Sequence, residues 1–132
     1  MNASLAQAHG RVPIAVLHLA GQISLDTASE LKQMAQNAFD GGARYLLIDL
    51  TAVESITSAG LSALHSIYAS FTDRSSREIG ATRANPPADH PFKSLHVKLL
   101  NPAAQVRRVL VMTGFDIFLE IHDDLQAAIA SF

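Results

Sequence analysis

The six residues YLLIDL, positions 45 to 50, constrain the fold more than any other stretch of the chain. Apart from Asp49 they are apolar, with no alternation. A strand exposed on one face alternates apolar and polar side chains, whereas an unbroken apolar run needs cover on both faces. Beyond it the sequence thins to Thr57-Ser58-Ala59-Gly60, and from Leu61 the period becomes helical, with Leu61, Leu64, Tyr68 and Phe71 on one stripe. A buried strand therefore hands over to a helix through a turn that carries two hydroxyls.

The flanking sequence repeats this alternation. Residues 12 to 23, VPIAVLHLAGQI, read as one or two strand segments with Gly21 marking their end. Thr27 followed by Glu30 has the capping-box pattern, and Ala28, Leu31, Ala35, Ala38 and Phe39 follow at helical spacing. Gly41-Gly42 supplies a left-handed exit. Residues 72 to 94 hold three of the five prolines and no sustained period, so they read as a long surface loop.

Leu95, Val97 and Leu99 then alternate with His96 and Lys98, which predicts a half-buried strand. Asn101-Pro102 offers a cap and a first-turn proline for a helix with Val106, Val109, Leu110 and Thr113 inward and Gly114 at its end. Phe118 to Ile121 reads as a short strand. Asp123 or Asp124 caps a last helix carrying Leu125, Ala128, Ile129 and Phe132. The order predicts an α/β chain, residues 1 to 132 as one domain, with helices laid on a mixed or parallel sheet.

Several chemistries find no footing. The 132 residues are 48% hydrophobic and 17% charged with a net charge of −2, which fits a soluble globular chain without a general pull on nucleic acid or an anionic membrane. There is no cysteine, so disulfides, thiol catalysis and thiolate metal sites are excluded, and a reducing cytoplasmic setting is expected. No secretory signal pattern and no apolar run near the roughly 20 residues of a membrane span is present, so membrane insertion is not expected.

Ser58 has Ile56 two positions before it, so a nucleophile elbow is missing. Asp49, Glu54 and the histidines satisfy a catalytic triad only on paper; unrelated surface residues are the simpler account. His9, His18, His65, His90, His96 and His122 include no H-x-H and no pair three or four apart. The arginines at 74, 77, 83, 107 and 108, interrupted by Asp73 and Glu78, read as a solvated face. No catalytic residue, cofactor or metal is expected.

The hydroxyl pair remains. Ser58 or Thr57 caps the following helix, the commonest use of such residues. A hydroxyl there also suits phosphorylation, because free backbone N–H groups and the positive helix end stabilise an added anion.

Three stretches resemble one family in order and spacing. LAGQISLDTASEL (19 to 31) is similar to L-x-G-E-L-D-x-x-T-A-x-x-L. YLLIDLTAVESITSAGLSAL (45 to 64) is similar to h-x-h-x-D-L-s-x-h-x-h-h-D-S-x-G-L-x-x-L. LLNPAAQVRRVLVMTGFDIFLEIHDDLQAAI (99 to 129) is similar to the closing h-x-x-P-x-V-x-x-h-h-x-x-x-G-h segment with its last strand and helix. They resemble the STAS domain (sulfate transporter and anti-sigma factor antagonist), and within it the small bacterial anti-sigma factor antagonists.

The resemblance implies a central sheet of about four or five strands with about four helices mainly on one side. It implies phosphorylation at Ser58, with Thr57 the second candidate, and partner contacts at Ser24, Asp26, Thr57, Ser58, Gly60, Leu61 and Ser62. The implied partners are an anti-sigma factor that is also a serine protein kinase and a PP2C-type phosphatase. The alternative is a docking subunit never phosphorylated, such as the STAS protein of a lipid-trafficking ABC transporter. Two departures stand out: Thr57 replaces the acidic residue before the serine, and Ser24 takes the place of the Asp in G-E-L-D. The 72 to 94 segment is also longer than the family's usual connection.

Overall fold

Four parallel strands and one antiparallel edge strand form the sheet. In chain order the elements are β1 (Asn2–His9), β2 (Pro13–Ile23), α1 (Leu25–Asp40), β3 (Leu46–Ile56), α2 (Ser58–Glu78), β4 (Val97–Leu100), α3 (Ala104–Met112), α4 (Phe115–Phe118), β5 (Glu120–His122) and α5 (Leu125–Ser131). The computed structural model describes residues 2–78 and 94–132. The strands lie in the order β1-β2-β3-β4-β5; β1 pairs antiparallel with β2, and every later pair is parallel.

Because the parallel steps all move in one direction, crossovers of one hand bring their helices to one face. The larger core lies there. Leu31 of α1, Leu64 and Ile67 of α2 and Leu110 of α3 pack with Leu17, Ile48 and Leu99 of the sheet. On the other face α5 sets Ala128 against Ile14, Val16, Leu47 and Leu100. Leu46, Leu47, Ile48 and Leu50 are all inaccessible to solvent, as an apolar run without alternation requires. The expected α/β architecture is present, with a five-stranded mixed sheet and, among the described residues, five helices.

Five local expectations are corrected. Asn2–His9 forms a strand that its sequence did not announce. Gly21 does not end the second strand; it adopts φ 91° at a register shift inside β2. β4 is buried on both faces rather than half-buried, because α5 covers the side that carries Lys98. The Lys98 ammonium donates to the Ser131 carbonyl (2.8 Å) and hydroxyl (3.0 Å), lies 3.4 Å from a Glu120 oxygen and sits over the Phe132 ring.

The segment Phe118–Ile121 divides differently: Gly114 at φ 82° starts the short helix α4, and the strand begins only at Glu120. Finally, α2 continues to Glu78, so residues 72 to 78 are helical where the long loop was expected to begin. The rest of that segment, 79 to 93, falls outside the described residues. No helix among the described residues is long and apolar enough to cross a membrane.

Candidate functional site

β2 and β3 end side by side, with Ile23 paired to Ile56, and each runs directly into a helix. The start of α1 and the start of α2 therefore meet at the carboxyl end of the sheet. A single carbonyl joins them. The backbone N–H of Thr57 donates to the Ile23 oxygen at 2.9 Å, and the Thr57 hydroxyl donates to the same oxygen at 3.4 Å.

Thr57 is also the cap of α2. Its carbonyl accepts from the Leu61 N–H (2.9 Å) and its hydroxyl oxygen accepts from the Gly60 N–H (3.3 Å). A capping side chain satisfies one of the backbone donors that a helix start leaves unpaired. Residue types alone leave the cap open between Thr57 and Ser58, and the geometry assigns it to Thr57. Ser58 is the first helical residue, exposed, with no hydrogen bond to its hydroxyl among the described residues. The N–H groups of Ser58 and Ala59 have no acceptor within the helix, which leaves a positively polarised tip beside the serine.

Gly60 makes the close approach possible. A Cβ there would lie 2.7 Å from the Ile23 carbonyl oxygen, 2.8 Å from Ile56 Cγ1 and 2.9 Å from Ile23 Cγ2. Gly60 was expected among the contact residues, but it is buried and works inward, seating α2 against β2. Leu61 is half-buried and Ser62 exposed.

At the start of α1 the cap is Ser24, not the expected Thr27. The Ser24 N–H donates to the Thr27 hydroxyl at 2.9 Å, and the Thr27 N–H donates back to the Ser24 carbonyl at 3.1 Å. The reciprocal pair thus sits three residues earlier than the Thr27/Glu30 pattern predicts. Asp26 is exposed in the first turn. Leu25, absent from the expected contact residues, is 76% exposed between them. Its signal was available: a large apolar residue directly after a cap, outside the inward stripe.

Asp49 and His18, two of the residues weighed for a triad, do come together. His18 Nδ1 and Asp49 Oδ2 are 2.7 Å apart, and the other Asp49 oxygen accepts from the Thr51 N–H (3.0 Å) and hydroxyl (2.6 Å). Burial pushes the Asp49 pKa up, but the Thr51 bonds and His18 outweigh it, so the carboxyl titrates below its ordinary value. His18 has no hydroxyl partner among the described residues, so the pair clamps β2 to β3 without a nucleophile. Among the described residues no group of three or more His, Asp or Glu could hold a metal ion.

The family model described as "Mlab, STAS domain" matches residues 8–126. The chain belongs to the STAS family. Three solved structures share its fold. An anti-sigma factor antagonist from Mycobacterium paratuberculosis has a TM-score of 0.69 at 21% identity, covering 98% of this chain and 93% of that one. The Bacillus cell fate determinant SpoIIAA in its phosphorylated form has a TM-score of 0.60 at 15% identity, covering 97% and 96%. A sulfate transporter family protein from Wolinella succinogenes has a TM-score of 0.61 at 16% identity, covering 89% and 82%. Comparison with curated proteins gives no match. This STAS chain thus has a SpoIIAA-like fold in which the serine after the helix cap is Ser58.

The geometry makes two outcomes measurable. Gly60→Ala forces a methyl into the Ile23 carbonyl and lowers stability by about 1–3 kcal/mol, the usual cost of overpacking, read by urea unfolding; an unchanged midpoint contradicts the close approach. The depressed Asp49 carboxyl contributes stability above its ordinary pKa of 3.8 and loses it as pH falls through the lower folded value. The thermal-midpoint gap between wild type and Asp49→Asn should therefore narrow in strong acid, and a gap that stays constant contradicts the clamp.

Proposed function

We propose that this STAS chain is an anti-sigma factor antagonist controlled at Ser58. Unphosphorylated, it binds a cognate anti-sigma factor that is also a serine protein kinase. Phosphorylation of Ser58 releases that partner, and a PP2C-type phosphatase restores binding. The observation that carries the reading is the division of labour in the turn: Thr57 caps α2, leaving the Ser58 hydroxyl exposed and unengaged on a positive helix tip.

The physics supports a switch without refolding. A phosphate adds about −1.5 to −2 charge at neutral pH, and the unpaired N–H groups of the first turn receive it. The same charge is costly at a packed interface, where each 1.4 kcal/mol lost weakens binding about tenfold. The contact surface is Ser24, Asp26, Thr57, Ser58, Leu61 and Ser62, joined by exposed Leu25 and supported from beneath by Gly60. That SpoIIAA is known in unphosphorylated and phosphorylated forms is further support. The switch acts in the cytoplasm through binding rather than catalysis, and without nucleic-acid contact of its own.

Two observations favour a second reading, a docking subunit of another complex, such as a lipid-trafficking ABC transporter, that is never phosphorylated. Thr57 caps the helix without adding the carboxylate the family places there, and the matching family model carries no sigma-factor description.

Incubation with the kinase partner and ATP, followed by mass spectrometry, should place the label on Ser58, and Ser58→Asp should bind that partner at least tenfold more weakly than wild type. A label remote from this turn, or equal binding by Ser58→Asp, ends the phosphoswitch reading in favour of the docking one.

A further inference from the structure

The two edges of the sheet differ in kind. β5 is three residues long and carries Glu120 and His122. β1 is eight residues, Asn-Ala-Ser-Leu-Ala-Gln-Ala-His, with no proline, no glycine and no lysine, arginine or carboxylate. Its pairing with β2 runs from Asn2↔Ala20 to His9↔Pro13 without a bulge. Proteins ordinarily blunt an open edge with short strands, charges, proline or bulges, and β1 has none of these.

Nor is β1 covered on its faces. Only Ala3 and Ala8 are even half-buried, and Leu5 is 44% exposed. The strand is ordered against β2 on one side. On the other it presents a regular ladder of backbone donors and acceptors with no partner strand among the described residues.

We propose that β1 pairs with β1 of a second copy of this chain, antiparallel across a twofold axis, to give a continuous ten-stranded sheet. The second copy is the occupant that the strand itself specifies. An antiparallel pair of identical strands is self-complementary, and because residues directly opposite one another share a face of the sheet, a twofold axis at Leu5 sets Leu5 opposite Leu5 of the other copy and Asn2 opposite its Ala8. No like-charged pair meets along that line, because the strand holds no lysine, arginine, aspartate or glutamate. The two exposed Leu5 side chains gain cover near the axis.

The arrangement also fixes the valency. Strands β2 to β5 of the two copies run in opposite directions, so the two α1/α2 starts lie at opposite ends of the dimer. Each copy keeps Ser24, Leu25 and Ser58 accessible, and the dimer presents two docking surfaces at once. This proposal does not depend on phosphorylation.

The test is sedimentation velocity and light scattering on the full chain over a range of micromolar concentrations, with amide exchange read in parallel. The mass should rise from the monomer's 14.1 kDa towards twice that value, and exchange of residues 2 to 9 should slow as concentration rises. In the double variant Leu5→Lys/Ala6→Lys the lysine at position 5 falls directly opposite that of the other copy, and the second lysine adds charge to the same edge. That variant should stay monomeric at every concentration while keeping the wild-type circular dichroism and low-concentration melting midpoint. Ser58→Asp should dimerise as wild type does. A monomer throughout overturns the proposal, as does a dimer that survives the double lysine variant or one that Ser58→Asp dissolves. So does a dimer that Met112→Lys, on the exposed end of α3, abolishes without any change in β1 exchange.

Discussion

The carbonyl of Ile23 is the point on which the site depends. It closes β2, accepts the Thr57 N–H, and is the atom against which Gly60 packs. Two helices start within a residue or two of it, one after each of two adjacent parallel strands. A turn fixed at that carbonyl has little freedom left, so the side chains beside it are held by the sheet. Sites on rigid elements keep their geometry better than sites on free loops.

Such anchoring separates structural from functional work between neighbours. Thr57 satisfies the backbone, and Gly60, buried beneath it, allows the approach without facing a partner. Ser58, Ser24, Asp26 and Leu25 are then free to do so. A dianion added to Ser58 meets unpaired N–H groups rather than packed side chains, so the fold tolerates it. Thr57 in the family's acidic position fits the same logic, since a hydroxyl caps a helix as a carboxylate does and leaves less negative charge beside an incoming phosphate.

Much of this was legible in the sequence because the interior obeys simple periodicities. The largely apolar run Leu46–Leu50, the helical stripe from Leu61 and the order of the STAS motifs lie where their chemistry put them, and of the two caps offered for the last helix, Asp123 and Asp124, it is Asp124 whose carboxylate accepts from the Ala127 N–H at 2.9 Å. The misses have physical causes. β1 is built of Ala, Ser, Asn and Gln and buries almost nothing, so it has no hydrophobic alternation to read. Lys98 and His96 looked solvent-facing, and only the tertiary packing explains their burial: Lys98 lies under α5 at the Ser131 oxygens, and His96 lies against the segment before β3, stacked on Tyr45 with the Arg44 carbonyl 2.9 Å from its Nδ1. Burial lowers the His96 pKa, which favours the neutral ring. The choice between Thr57 and Ser58 as cap could not be made from residue types, because both are good caps. It was decided by which hydroxyl the Ile23 carbonyl holds in place.

The division between those two hydroxyls is the central claim, and a stability comparison reads it directly. Urea unfolding of Thr57→Ala and Ser58→Asp, each against wild type, separates the cap from the free position. Thr57→Ala should lose about 0.5–2 kcal/mol, the value of a helix cap, while Ser58→Asp should be neutral or gain up to about 1 kcal/mol from a negative charge at the helix tip. A stable Thr57→Ala beside a clearly weakened Ser58→Asp would contradict the account.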